Sequence, residues 1–359
     1  MRTKRITAAL CATALVFLLT ACSDINVNVN INDNRESDAA GQTQENQQTD
    51  ADLSKEPKNA FFDVSYLTKE ETADVLGSLD TYYDNISQKS LDFFAQKKGA
   101  AVDEYREYSM EQACEISDAE KSLLEATVSA IESMLDEKGM LLPENTTVSI
   151  GLTTMKEASG AGGYTHGTTV FLNEDYTARC ADIYEASGKI YLDFEDILAH
   201  EFFHCLTRNN PDFRKDMYSI INFTIADEDF TIPDYVHEQM IANPDVGHHD
   251  SYATFTVNGE KKDCYLVFLC KDEFENPGDS FFNSMYTGLV DIEDGSLYSY
   301  EDAYDFYEVM GYNTEYCEDP EECMATNFAF AVVCGMEGPD GEGYASPEII
   351  EAIIEHMQK

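Results

Sequence analysis

The chain has 359 residues, with 23 basic against 69 acidic side chains and a formal net charge of −46. A surface of that sign repels nucleic acid and is not drawn by charge to an anionic membrane, so neither is expected as an electrostatic partner. Hydrophobic residues at 43% and aromatics at 11% suffice for a sizeable core, which excludes a disordered chain.

Residues 1–21 read as a processing signal rather than as fold. Arg2, Lys4 and Arg5 open a basic start, and the apolar run from Ile6 to Leu19 falls short of the ~20 residues of a spanning helix. The run closes on Leu19-Thr20-Ala21-Cys22, which resembles the lipobox of bacterial lipoproteins. The resemblance implies cleavage before Cys22, lipidation of that cysteine, and an extracytoplasmic chain anchored to the cell membrane by two or more acyl chains. Residues 22–58 are rich in Asn, Asp, Gln, Glu and Ser and read as a disordered polar linker.

From residue 59 to 359 the pattern is that of a folded α+β domain, with a helical N-terminal part (59–145) and a second part (146–359) that carries the chemistry. Helical spacing runs over 66–96 and 117–138, with Asp118 as cap and Gly139 as stop of the second. Short strands are expected at 147–153, 168–172 and 189–192, with the turn-rich Ser159-Gly160-Ala161-Gly162-Gly163 after the first. Helices are expected at 193–208, 211–222 and 234–242, strands at 252–257 and 264–270, and helices again at 301–310, 320–334 and 347–357. Eight cysteines remain once Cys11 and Cys22 are set aside. Their even number outside the cytoplasm permits disulfides, none has zinc-type CxxC spacing, and some can be small buried hydrophobes.

The residues with chemical promise are His200-Glu201-Phe202-Phe203-His204. Two histidines at i and i+4 of a helix face one side and can share a metal ion. With Asp193 as cap, Phe194, Leu198, Phe202 and Cys205 form an apolar stripe. Asp193, His200, His204 and Thr207 cluster about 130° away, with Glu201 between the two faces.

This motif resembles the zincin metallopeptidases. Thr207 and Asn210 stand where the metzincin pattern needs Gly and His, which leaves the gluzincin type, whose third ligand is a Glu on a second helix. The best match is Glu322, on a helix capped by Asp319 with Pro320 at its first position. Thr326 replaces the acid expected one turn later. Two other readings stand beside this one: Glu322 closing a capping box and Glu321 as a surface carboxylate at the helix start. Asp227-Glu228-Asp229 is the rival source of a ligand, Glu228 above all.

His166 is expected in a turn beside a strand, where it can line a groove. His237, His248, His249, Tyr252 and Tyr286 are further candidates for the site, and His356 is expected to be solvated.

The resemblance implies a Zn2+ ion on His200, His204 and Glu322, with Glu201 as general base in hydrolysis of a peptide or protein substrate. The acidic surface serves solubility and is compatible with cationic substrates. A reading of another class is a surface lipoprotein that binds a ligand or partner and carries a structural or vestigial zinc. Nothing in the sequence fixes the oligomeric state.

Overall fold

The computed structural model describes residues 57–143 and 146–359. The signal segment, the lipobox with Cys22 and most of the polar linker lie outside the described residues. The architecture is α+β, as strands grouped before and after a helical core suggest, and it is organised around two sheets.

The first sheet comprises β1 (Phe62–Tyr66), β2 (Ala113–Cys114), β3 (Thr146–Thr153), β4 (Gly163–His166) and β5 (Thr169–Asn173), in the order β1-β3-β5-β4 with β2 also on β3. β1, β3 and β5 run parallel, and β4 lies antiparallel to β5 at the edge. Within β3 Val148, Ile150 and Leu152 are buried, and they pack in the main core with Phe202 and Leu198. The second sheet is antiparallel throughout, in the order β10-β9-β8-β7-β6. Its strands are β6 (Thr224–Ile225), β7 (Ser251–Val257), β8 (Glu260–Cys270), β9 (Met285–Asp291) and β10 (Leu297–Ser299).

The helices are α1 (Lys69–Gly77), α2 (Asp80–Asn85), α3 (Gln88–Phe94), α4 (Val102–Glu111), α5 (Asp118–Lys138), α6 (Glu174–Ser187), α7 (Leu192–Asn209), α8 (Pro211–Ile220), α9 (Asp234–His237), α10 (Phe306–Met310), α11 (Pro320–Val333) and α12 (Pro347–Met357). Among the described residues no helix is long and apolar enough to cross a membrane.

Several expectations are corrected. The single helix over 66–96 is three short ones, because Thr68 and Ser87 cap new starts: each hydroxyl accepts from the backbone N–H three residues on. No strand forms at 189–192. Gly188, left-handed at φ 69°, ends α6, and α7 begins at Leu192 with Tyr191 as its cap, so only a three-residue turn remains. Asp193 therefore sits inside the helix, and Ser117 rather than Asp118 caps α5. The helix over 234–242 stops at His237, and Met240 then bridges to Leu269 at the sheet edge. Residues 163–166, read as a turn, are the edge strand β4.

α7 and α11 form the centre of the molecule. Both are buried over almost their whole length, and Phe203 of α7 packs on Phe328 of α11 at 5.4 Å between ring centroids. A helix enclosed on all sides gains apolar burial all round, and the polar groups it carries inward must then be paired. The eight described cysteines are free, six of them buried, in keeping with their use as small hydrophobes.

Candidate metal centre

α7 places His200 and His204 one turn apart on a buried helix face, with Glu201 next to His200. α11 brings Glu322 to meet them. Asp319 caps α11 by accepting from the Glu321 N–H at 2.9 Å, and Pro320 starts the first turn. Glu322 has no share in that cap. Its Oε2 lies 3.0 Å from His200 Nε2 and 3.8 Å from His204 Nε2, while its Oε1 accepts from Asn243 Nδ2 at 2.6 Å. The carboxylate points into the cluster, so the capping-box reading fails.

His200, His204 and Glu322 offer ligand atoms that all lie within 4.8 Å of one another, a group that could hold a metal ion. Ligand atoms around a tetrahedral ion at ~2.1 Å stand roughly 3.4 Å apart, and the 3.0 and 3.8 Å separations bracket that value. His204 supplies an independent test of fit. Its Nδ1 is 3.0 Å from Glu321 Oε1, which makes Nδ1 the donor and leaves a lone pair on Nε2. That Nε2 is buried with no hydrogen-bond partner among the described residues. A buried acceptor without a donor is unfavourable by ~1–3 kcal/mol, and a cation beside Glu322 removes the deficit.

Glu321 is no surface carboxylate. It is buried and accepts from Thr207 Oγ1 at 2.6 Å and from Tyr218 OH at 2.5 Å as well as from His204. Burial alone would raise its pKa. The His204 hydrogen bond and charge, with Arg208 and Thr207, outweigh burial and hold the carboxyl at about 2. Burial pulls both histidines down. For His200 the Glu322 hydrogen bond and nearby carboxylates prevail and the pKa is raised, whereas for His204 burial prevails and it is lowered. Thr326, where an acid was expected, puts its hydroxyl 3.4 Å from His200 Nδ1.

Glu201 lies beside the three ligand candidates. Thr165 of β4 donates to its Oε2 at 2.7 Å, and burial, with Glu322 adding to it, pushes its pKa up to about 8. Gly163 explains how the edge strand comes so close: a Cβ there would stand 3.0 Å from Glu201 Oε1. A second loop closes the site. Asp245 accepts from the Thr165 N–H at 2.5 Å, and its own carbonyl takes Arg208 Nη2 at 2.6 Å. Glu201, His204 and Asp245 form a further group of close ligand atoms. The Tyr316 ring stands 6.3 Å from that of His200, and burial among Glu322, Glu318, Asp245 and Glu201 keeps its phenol protonated.

The other candidates lie elsewhere. Glu228 is exposed, and its neighbour Asp229 accepts from the His249 N–H and pairs with His248. His237 contacts the Asn85 carbonyl, and His356 pairs with Asp216. Tyr252 packs on Phe230, and Tyr286 lies under Lys271. His166 is on β4, its ring 4.6 Å from that of Tyr82, and burial takes its pKa down to about 3. Asn243, Asp245, Thr165 and Tyr316 were not anticipated, since each reaches the site from a loop or edge strand far from the motif in sequence. For Glu321 a signal existed: it directly precedes Glu322 at a helix start. No protein-family model matches this chain, and neither a curated protein nor a solved structure does.

Proposed function

We propose that this chain is a zinc-dependent peptidase of the zincin kind, gluzincin-like in its ligand set, held at the outer face of a bacterial membrane through a lipidated Cys22. The observation that carries the reading is the free, buried Nε2 of His204 within the His200–His204–Glu322 cluster, with Glu201 beside it on the same helix. Two imidazoles and one carboxylate are a donor set suited to zinc with a position left open. Zinc in that set would polarise a peptide carbonyl and make water more acidic.

Glu201 supplies the proton transfers. Its carboxylate takes a proton from the attacking water and delivers it to the departing amine; burial raises its pKa, and a cation on the neighbouring ligand set would lower it. Thr165 fixes the orientation of Glu201 through Oε2, leaving Oε1 on the Gly163 side. Tyr316 stays protonated and donates to the oxygen on which negative charge develops. Glu321 holds His204 in the tautomer whose Nε2 is free.

The test is metal content of the purified chain together with cleavage of a diverse peptide library. One tightly held zinc with cleavage abolished by a chelator and restored by zinc supports the peptidase. One tightly held zinc with no cleavage of any peptide replaces it with a ligand-binding lipoprotein that carries a structural metal.

A further inference from the structure

A partly open cleft with a cavity volume of about 80 Å³ adjoins the metal centre. Gly163, Asn243, Asp245 and Tyr316 belong to both. Beyond them the walls are aromatic, with Tyr82, Tyr83, Phe94, Tyr105, Phe281 and Phe282. Two buried carboxyls interrupt this lining. Glu157 Oε1 accepts from Thr153 Oγ1 at 2.6 Å and from Tyr164 OH at 2.9 Å, but its Oε2 is buried with no partner among the described residues. Glu318 is 6% exposed, and no described residue hydrogen-bonds its carboxyl.

The chemistry of this lining selects its occupant. Among the described residues no Lys or Arg lines the cavity, and the one histidine there, His166, is held neutral by burial. Arg106 donates to the Gly77 carbonyl and Asp80, and Arg208 to the Asp245 carbonyl, and each keeps one buried nitrogen without a described hydrogen-bond partner. Burial raises the pKa of Glu157 and Glu318, so an anion would disfavour their ionisation further, whereas a cation favours the charged form. An apolar group would leave Glu157 Oε2 desolvated and unpaired, which is the costly outcome for a buried carboxyl. An organic cation satisfies the acids by charge-assisted hydrogen bonds, and its stem packs on aromatic faces.

Position decides which cation. Glu157 is held at the hydroxyl end of Tyr164, one residue after the Gly163 that touches Glu201. Consecutive strand residues face opposite sides, so a group bound at Glu157 lies across β4 from Glu201 rather than next to it, which favours the reach of a Lys or Arg side chain over a free N-terminal ammonium.

We propose that this cavity is a specificity pocket for a Lys or Arg side chain of the substrate peptide, with Glu157 and Glu318 binding the cation and the tyrosine and phenylalanine rings enclosing its stem. The assignment rests on the peptidase reading for its substrate, but the pocket's chemistry can be tested without catalysis.

The experiment uses the full zinc-loaded chain and matched peptides that carry lysine, norleucine or glutamate at each position in turn. Lysine at one position should raise kcat/KM over norleucine by roughly 10–100-fold, the size of one charge-assisted hydrogen bond to a buried acid. Glu157→Gln keeps the acceptor for Thr153 and Tyr164 but removes the charge. It should cut that preference about tenfold while norleucine peptides are cleaved as before. In parallel, calorimetry measures binding of N-acetyl-lysine amide and N-acetyl-norleucine amide to wild type and variant. Glu318→Gln replaces Glu157→Gln should the latter fail to fold by circular dichroism.

Cleavage without a basic preference, or a preference that survives both variants, overturns the pocket assignment and leaves the peptidase standing. No cleavage, with a charge-dependent preference for the lysine amide that the variant loses, keeps the pocket and overturns the peptidase. No cleavage and equal binding of the two amides overturns both.

Discussion

His204 and Glu321 form a charged hydrogen bond inside the protein, Nδ1 to Oε1 at 3.0 Å, and the same carboxylate also takes the Thr207 and Tyr218 hydroxyls. Glu321 is thus the partner that fixes His204 while its neighbour Glu322 faces the cluster directly. Removing an outer partner of this kind lowers metal affinity by roughly 10–100-fold. Glu321→Gln should therefore weaken zinc by about that factor with the fold retained. Competition titration against a chelator measures it, and unchanged affinity would reduce Glu321 to a packing role.

Glu322 and Glu228 are the two carboxylates that sequence reasoning left in competition. Only Glu322 reaches the cluster, at 3.0 Å from His200 Nε2, whereas Glu228 is exposed beside Asp229. Glu322→Ala should leave two imidazoles, which hold zinc weakly, and the purified variant should contain little of it. Glu228→Ala should keep the wild-type content. Metal analysis of the two variants decides between them, and the opposite pattern would move the ligand to the acidic loop.

How much of this was visible in the sequence follows from what each signal is made of. The motif on α7 and the cap-and-proline start of α11 are local patterns, and both helices were legible, with Glu322 on the one that brings it to the two histidines. Helix ends set by a capping hydroxyl were less so: Thr68 and Ser87 divide what apolar spacing presents as one helix. The edge strand β4 was hidden because Ser159 to Gly163 reads as a turn and only four residues follow in register with β5. Asp245, Asn243 and Tyr316 join the site through long-range packing that no window of sequence contains. Thr326 is the instructive departure. A hydroxyl 3.4 Å from His200 Nδ1 fills the place of the expected acid, and the negative charge near the histidines comes instead from Glu321 and Asp245.

Acid should destabilise the fold through buried neutral histidines. Burial takes His249 down to about 4, and its Nδ1 is buried without a described partner. An unfolded histidine titrates near ~6.5, so the folded value is the lower one. The stability it contributes is complete above the unfolded value and is lost as pH falls from about 6.5 towards 4. His249→Gln should flatten the loss of stability over that window, as read by urea midpoints at several pH values. An identical slope in the variant would show that His249 is free to protonate in the native state.

The anchor is tested outside the described residues. Leu19-Thr20-Ala21-Cys22 motivates Cys22→Ser, which should release the chain into the soluble extracytoplasmic fraction or leave it unprocessed. Normal processing with unchanged membrane partition would remove the lipoprotein reading and leave the folded domain's assignment untouched.

Glu201 separates catalysis from metal binding. It shares α7 with His200 and His204, yet its Oε2 is taken by Thr165 and its other oxygen lies against Gly163, whereas His200, His204 and Glu322 form a group of close ligand atoms without it. Glu201→Gln keeps size and the Thr165 contact while removing the base. Turnover should fall by at least the roughly 10²–10⁴-fold that general-base catalysis contributes, with zinc content and KM nearly unchanged. Tyr316→Phe provides the contrast, because its hydroxyl is assigned to the developing oxyanion rather than to the proton. It should lower kcat by roughly 10²–10³-fold and leave metal content intact. Single-turnover cleavage with zinc quantified in each variant reads both effects. A Glu201→Gln chain that cleaves at the wild-type rate would place the activity outside this motif. One that loses its zinc would make Glu201 a structural support of the metal centre, and the division of roles between Glu201 and the three ligand residues would fail.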